Sequence, residues 1–149
     1  MTRGTTRRGW LLGTAAVAAV GVAGTANAAE QVDAAIADIF GSDEAPTDGR
    51  VVVEVPPISE NGYSVPVTVR VDSPMVREDH VTRIAILSEI NPIARIGVFE
   101  LGPRTGAAEL RTRVRLAGSQ RLYAVAQMSD GSLWRGYGYT IVTLAACVV

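Results

Sequence analysis

Two residue types with the chemistry to react each occur once in this chain. Cys147 is the single cysteine and His80 the single histidine. A lone thiol in an exported chain points either to an intermolecular partner or to a free reactive sulfur, because exported domains otherwise use cysteines in pairs. A thiolate is a strong sulfur nucleophile that readily forms disulfides, persulfides and related adducts. His80 follows Glu78 and Asp79 in a polar stretch, and the simplest reading is a solvated loop histidine. A cysteine–histidine nucleophile pair is assembled in space rather than in sequence, so a cysteine-dependent hydrolase built on Cys147 and His80 stays open at this point.

Other catalytic patterns are absent. There is no G-x-S-x-G elbow, no H-E-x-x-H, no C-x-x-C and no glycine-rich phosphate loop before a helix. Neither a metal site nor a cofactor is expected, and the acidic residues show no spacing that selects two of them for acid–base work. All 14 basic residues are arginine, against 15 acids. With charge so nearly balanced and few aromatics, the chain has no nucleic-acid footprint.

The N-terminus belongs to export rather than to the fold. Arg3 and the pair Arg7-Arg8 precede Gly9-Trp10-Leu11-Leu12, a weakly apolar Ala/Val/Gly run to Gly24, and Ala26-Asn27-Ala28. Paired arginines, a diluted apolar stretch and a small-x-small site are the features of a twin-arginine signal peptide. The run is shorter than the ~20 residues a membrane-spanning helix needs. Residues 1–28 are therefore read as the signal, cleaved after Ala28, with no membrane anchor afterwards and a periplasmic destination. Its removal takes three arginines and no acid, so the mature chain carries a formal charge of −4.

What must position Cys147 is a β-rich body over residues 29–144. Glu30 to Phe40 carries apolar residues at Val32, Ile36 and Phe40 and is expected to form a short helix that stops at Gly41. From Arg50 the period becomes two. Seven strands are expected: Val51–Val55, Val65–Val71, around Ile84–Ile86, around Ile96–Val98, Leu110–Leu116, Leu122–Met128 and Leu133–Leu144. Pro66 lacks an amide donor, so its strand starts there or lies at an edge. In the fifth strand Arg111, Arg113 and Arg115 share one face, simplest read as solvated, with a docking face as the alternative. Seven short strands with turn signals such as Asp130-Gly131 imply an all-β, immunoglobulin-like β-sandwich preceded by a short N-terminal helix.

Residues 145–149 then form an arm. Three extended residues past Leu144 would carry the thiol about 10 Å beyond the strand end, where it could enter another protein's pocket. The bland alternative is that Ala145-Ala146-Cys147-Val148-Val149, apolar throughout, extends the strand with Cys147 as a small inert hydrophobe. Position and composition leave both open.

Several segments taken together resemble the SoxY family, sulfur-carrier subunits of bacterial thiosulfate oxidation. They are Glu60-Asn61-Gly62-Tyr63-Ser64-Val65-Pro66-Val67, Asp72-Ser73-Pro74-Met75, Asn91-Pro92, and Met128-Ser129-Asp130-Gly131-Ser132-Leu133-Trp134, with the export signal and Cys147 in the expected places. The resemblance implies a non-enzymatic carrier whose covalent attachment site is Cys147, paired with a SoxZ-like subunit in a heterodimer. It also implies transient docking with a c-type cytochrome that joins thiosulfate to the thiol, a hydrolase that releases the sulfone group, and a sulfur dehydrogenase that oxidises the remaining sulfur. The competing reading is an exported interaction paralogue with an idle cysteine. In one respect the chain departs from the family, whose cysteine usually sits within Gly-Gly-Cys-Gly-Gly. Here the neighbours are Ala145, Ala146, Val148 and Val149.

The signal reading predicts that changing both Arg7 and Arg8 to Lys leaves uncleaved protein in the cytoplasm. Fractionation and N-terminal sequencing check this, and a normal mature chain beginning at Ala29 would contradict it.

Overall fold

A computed structural model describes residues 23–146. Most of the expected signal therefore lies outside the described residues, and so does Cys147.

The first element, α1, spans Ala23–Phe40, longer than the helix expected from Glu30. The apolar periodicity marks only the docked part. Upstream of Glu30, Ala23, Ala26, Ala28 and Ala29 favour helix without giving an apolar period, and the helix runs through the expected cleavage junction at Ala28. Val32 and Ile36 are buried against Ala85, Leu87, Val125 and Leu133. Gly41 ends the helix as expected, with φ of +64° and its N–H donated to the Ala37 carbonyl at 2.9 Å.

Nine strand segments follow: β1 Thr47–Asp48, β2 Val51–Glu54, β3 Ile58–Ser59, β4 Val65–Val71, β5 Val81–Ser88, β6 Arg95–Glu100, β7 Glu109–Val114, β8 Gln120–Met128 and β9 Leu133–Val142. Seven of them are the expected strands. The two extra ones, β1 and β3, are two-residue stretches pairing in parallel with β9, too short to show a period.

The larger sheet has the order β1-β9-β8-β5-β6, with β3 also on β9; the smaller has the order β2-β4-β7. The valines of β4 alternate cleanly, Val65, Val67, Val69 and Val71 inward. They meet Ile84, Ile86, Leu122, Ala124, Ala126 and Met128 of the larger sheet in the main core. The opposite face of the larger sheet receives α1, so three layers stack: helix, larger sheet, smaller sheet. Apolar burial of this kind stabilises by about 25 cal/mol per Å² removed from water, and the buried residues at both layer contacts are almost all Val, Ile, Leu or Ala, with Met75 and Met128 added in the main core.

Pro66 is the second residue of β4 and pairs with Arg113 of β7. On the other side β2 reaches β4 only as far as Thr68, so the missing amide falls where β4 has one neighbour. The arginine face of β7 is solvated. Arg111 and Arg70 both pair with Glu109, and Arg70 also pairs with Glu54. These contacts hold the Glu109 carboxyl below its ordinary pKa, the Arg111 hydrogen bond being the larger cause. At the β8–β9 turn, Asp130 accepts hydrogen bonds from the Ser132 N–H and hydroxyl at 2.8 and 2.6 Å, which lower its pKa.

Candidate functional site

Cys147 itself lies outside the described residues, but the chain that delivers it is described through Ala146. Strand β9 ends at Val142. From there the chain does not project freely. The Val142 N–H donates to Ser119 Oγ at 2.9 Å. Thr143 donates its N–H to the Ser59 carbonyl at 3.1 Å and its hydroxyl to the Glu60 carbonyl at 2.6 Å. The Leu144 carbonyl accepts the Gly62 N–H at 2.7 Å, and the Ala146 N–H donates to the Leu116 carbonyl at 3.0 Å. Leu116 in turn donates its own N–H to the Gly62 carbonyl at 2.9 Å.

Three separate pieces of chain thus close on one another: residues 59–62 after β3, Leu116 after β7, and residues 142–146 after β9. The contacts are backbone to backbone, so the chains must approach closely. Gly62 is buried, and a Cβ on it would collide with the Leu116 carbonyl oxygen and lie 3.0 Å from the Ala146 nitrogen. Only glycine fits there. From Leu144 to Ala146 the chain is thus held against the sandwich, while the expected reach of the thiol, about 10 Å, falls on Cys147, outside the described residues.

His80 sits at the other end of the sandwich. Its ring Nδ1 lies 3.1 Å from the Val76 carbonyl, and its backbone exchanges hydrogen bonds with Ser129. It precedes Val81, which pairs with Met128, whereas Ser88 at the far end of β5 pairs with Leu122, towards Gln120 and the arm root. Strand β5 spans on the order of 24 Å at 3.3–3.4 Å per residue. The fold thus separates His80 from the anchored Ala146 by roughly the length of the sheet, which works against a Cys147–His80 pair. Among the described residues no three His, Cys, Asp or Glu side chains are placed to hold a metal ion, and no helix is long and apolar enough to cross a membrane.

Sequence reasoning singled out the cysteine but missed its anchors. Leu116 and Gly62 act through their backbone, and backbone bonding leaves little trace in residue types. The one available signal was Gly62, but an Asn-Gly pair reads simply as a turn and does not indicate a close backbone approach. The geometry predicts that Gly62→Ala costs about 1–3 kcal/mol, the usual range for overpacking, and speeds trimming of the C-terminal residues by carboxypeptidase. Urea unfolding and timed mass spectrometry check both; an unchanged midpoint with unchanged trimming would show that the bracket is not tight.

A model for a family described as sulfur oxidation protein SoxY matches residues 36–147. No curated protein matches the chain. Among solved structures, the sulfur carrier protein SoxY from Chlorobium limicola f thiosulfatophilum is 30% identical, covering 82% of this chain and 100% of its own, with a TM-score of 0.70. The superoxide reductase (neelaredoxin) from Ignicoccus hospitalis is 19% identical with a TM-score of 0.55, covering 63% of this chain and 80% of its own. A superoxide reductase from Nanoarchaeum equitans is 14% identical with a TM-score of 0.54, covering 64% and 99%. These two share the sandwich fold alone. The family match takes in both sheets, the docked end of α1 and the bracket that closes on Ala146, and on that evidence the chain belongs to the SoxY family of sulfur oxidation proteins.

Proposed function

We propose that this protein is an exported, periplasmic sulfur carrier that holds thiosulfate-derived sulfur covalently on Cys147 and presents it to other enzymes. The observation that carries the reading is the coincidence of two limits. The family match extends to Cys147 as its last residue, and Ala146 immediately before it is anchored to Leu116. A thiol one residue past a fixed point keeps a defined position at the edge of the sandwich while remaining open to a visiting active site.

The chemistry follows from the thiolate. Its sulfur bonds to the sulfane sulfur of thiosulfate, and the electron pair released in forming that S–S bond passes to a c-type cytochrome as oxidant. A hydrolase then adds water at the sulfone sulfur, sulfate leaves with loss of protons to solvent, and the sulfane sulfur stays on Cys147 as a persulfide. A sulfur dehydrogenase oxidises that remaining sulfur. The carrier contributes attachment and presentation and no catalytic group.

A SoxZ-like subunit is the proposed stable partner. An apolar stripe on the edge of the larger sheet supports it: Tyr137, Tyr139 and Ile141 of β9 and Ile58 of β3 are all exposed, and Ile58 pairs with Ile141 in register. Exposed apolar groups arranged contiguously mark interaction surfaces more often than scattered ones do.

Cys147→Ser is expected to abolish thiosulfate-dependent electron transfer to the cytochrome while leaving the thermal unfolding midpoint unchanged, because the change removes a nucleophile past the last strand and little packing. Oxygen- or dye-coupled turnover in extracts lacking any other carrier checks this. Full turnover with the serine variant would mean that the cysteine is idle and the protein acts by partner binding alone.

A further inference from the structure

Five polar side chains are buried among the described residues: Ser59, Ser88, Asn91, Gln120 and Thr140. All five lie at the end of the sandwich from which the C-terminal segment leaves. Thr140 pairs with Gln120 across β8 and β9 and shares a hydrogen bond with Ser59 at 3.1 Å. Apolar side chains fill the rest of the core, so the concentration of polar groups at one end calls for a physical reason. Buried polar networks, when fully satisfied, fix geometry more narrowly than apolar packing does.

The network is fully satisfied, and it converges on Asn91. Gln120 Oε1 accepts from the Ser88 hydroxyl at 2.5 Å and from the Glu89 and Ile90 amides at 3.2 and 3.3 Å. Its Nε2 donates to Asn91 Oδ1 and to the Gly118 carbonyl, both at 3.2 Å. The Asn91 backbone is held from two sides, its N–H by Ser88 Oγ at 2.8 Å and its carbonyl by Gln31 Nε2 of α1 at 2.9 Å. With both ends fixed, the Asn91 side chain forks. Nδ2 donates to the Arg115 carbonyl at 2.8 Å, and Oδ1 accepts the Ala117 N–H at 2.9 Å. The residue between those two contacts is Leu116, whose carbonyl receives the Ala146 amide.

We propose that Asn91 is the positioning residue of the carrier arm: its side chain clamps the turn on both sides of Leu116 and so aims the carbonyl that anchors Ala146, setting where Cys147 is presented. The proposal rests on the reading of Cys147 as the attachment site. It makes the exit point of the arm a property of the sandwich rather than of the tail. The root of the arm, up to Ala146, is then held by backbone contacts that do not depend on its side chains. Through Gln31 the same clamp is tied to α1, so docking of the helix and placement of the arm are coupled.

The test uses Asn91→Ala, which removes both arms of the fork, and Asn91→Asp, which keeps the acceptor for Ala117 and loses the donor to Arg115. Amide exchange by NMR and the rate of Cys147 with 5,5′-dithiobis(2-nitrobenzoate) are measured on the purified protein. The Ala variant is expected to raise exchange at Ala146 at least about tenfold, by local opening that leaves Ile86 and Val125 in the larger sheet protected. The thiol rate should shift by at least about threefold in the same variant, and the Asp variant, whose second carboxylate oxygen would face the Arg115 carbonyl, should move both readouts in the same direction. Should the Ala variant fail to fold, the Asp variant alone decides by the same two readouts. Unchanged exchange at Ala146 in a folded variant would overturn the proposal. So would a uniform rise across the sheet, which would make Asn91 a stability residue only, or a freed Ala146 with an unaltered thiol rate. None of these readouts requires sulfur cargo, so an idle cysteine would leave them intact and would count against the carrier reading alone.

Discussion

The hydrogen bond from the Ala146 amide to the Leu116 carbonyl fixes the root of the segment that follows β9. It requires that residues 59–62, Leu116 and the segment after β9 approach within backbone contact. That approach is possible only because position 62 has no side chain. It also requires that the turn carrying Leu116 hold its carbonyl in one direction. In a turn free to rotate, such a bond would be one of several competing with water, and a single exposed hydrogen bond contributes little net stability. The clamp of Asn91 and Gln120 removes that freedom, and the buried polar groups gather where the freedom would otherwise lie.

A carrier arm has to satisfy two demands that pull against each other. The reacting sulfur must be reachable by more than one enzyme, and it must be found at a predictable place. On the proposed reading of Cys147, an anchored residue immediately before it serves both. The layers of the fold divide the tasks accordingly. The main core between β4 and the β5–β8 pair provides rigidity, α1 braces the outer face and reaches Asn91 through Gln31, and the smaller sheet offers the solvated arginine face. The apolar stripe along β9 and β3 runs towards the end of the sandwich at which Ala146 is anchored.

The strands were legible because valine and isoleucine recur at every second position where one face is buried, as in Val65 to Val71. The stop at Gly41 was legible because a left-handed position after an apolar helix favours glycine. The first turns of α1 were not, since their small residues Ala, Gly, Thr and Asn carry no apolar period to read. Strands β1 and β3 were invisible for lack of length. The arm root was hidden for a different reason: its contacts join main-chain atoms of residues whose types are ordinary. Asn91 stood in a recognisable segment, yet nothing in the sequence indicated that its side chain straddles Leu116, because Gln120 and Leu116 reach it only through the three-dimensional turn. Cys147 was singled out by its solitude and lies outside the described residues; the course of the chain up to Ala146 was not legible, because it depends on bonds to residues far upstream.

Peptide-mapping mass spectrometry of the protein, isolated without reductant from cells oxidising thiosulfate, tests the central claim most directly. The account predicts that the peptide containing Cys147 carries added sulfur or a thiosulfate-derived group, reversible by reductant and confined to that residue. A Cys147 peptide recovered bare, as a free thiol, throughout active thiosulfate oxidation would contradict it.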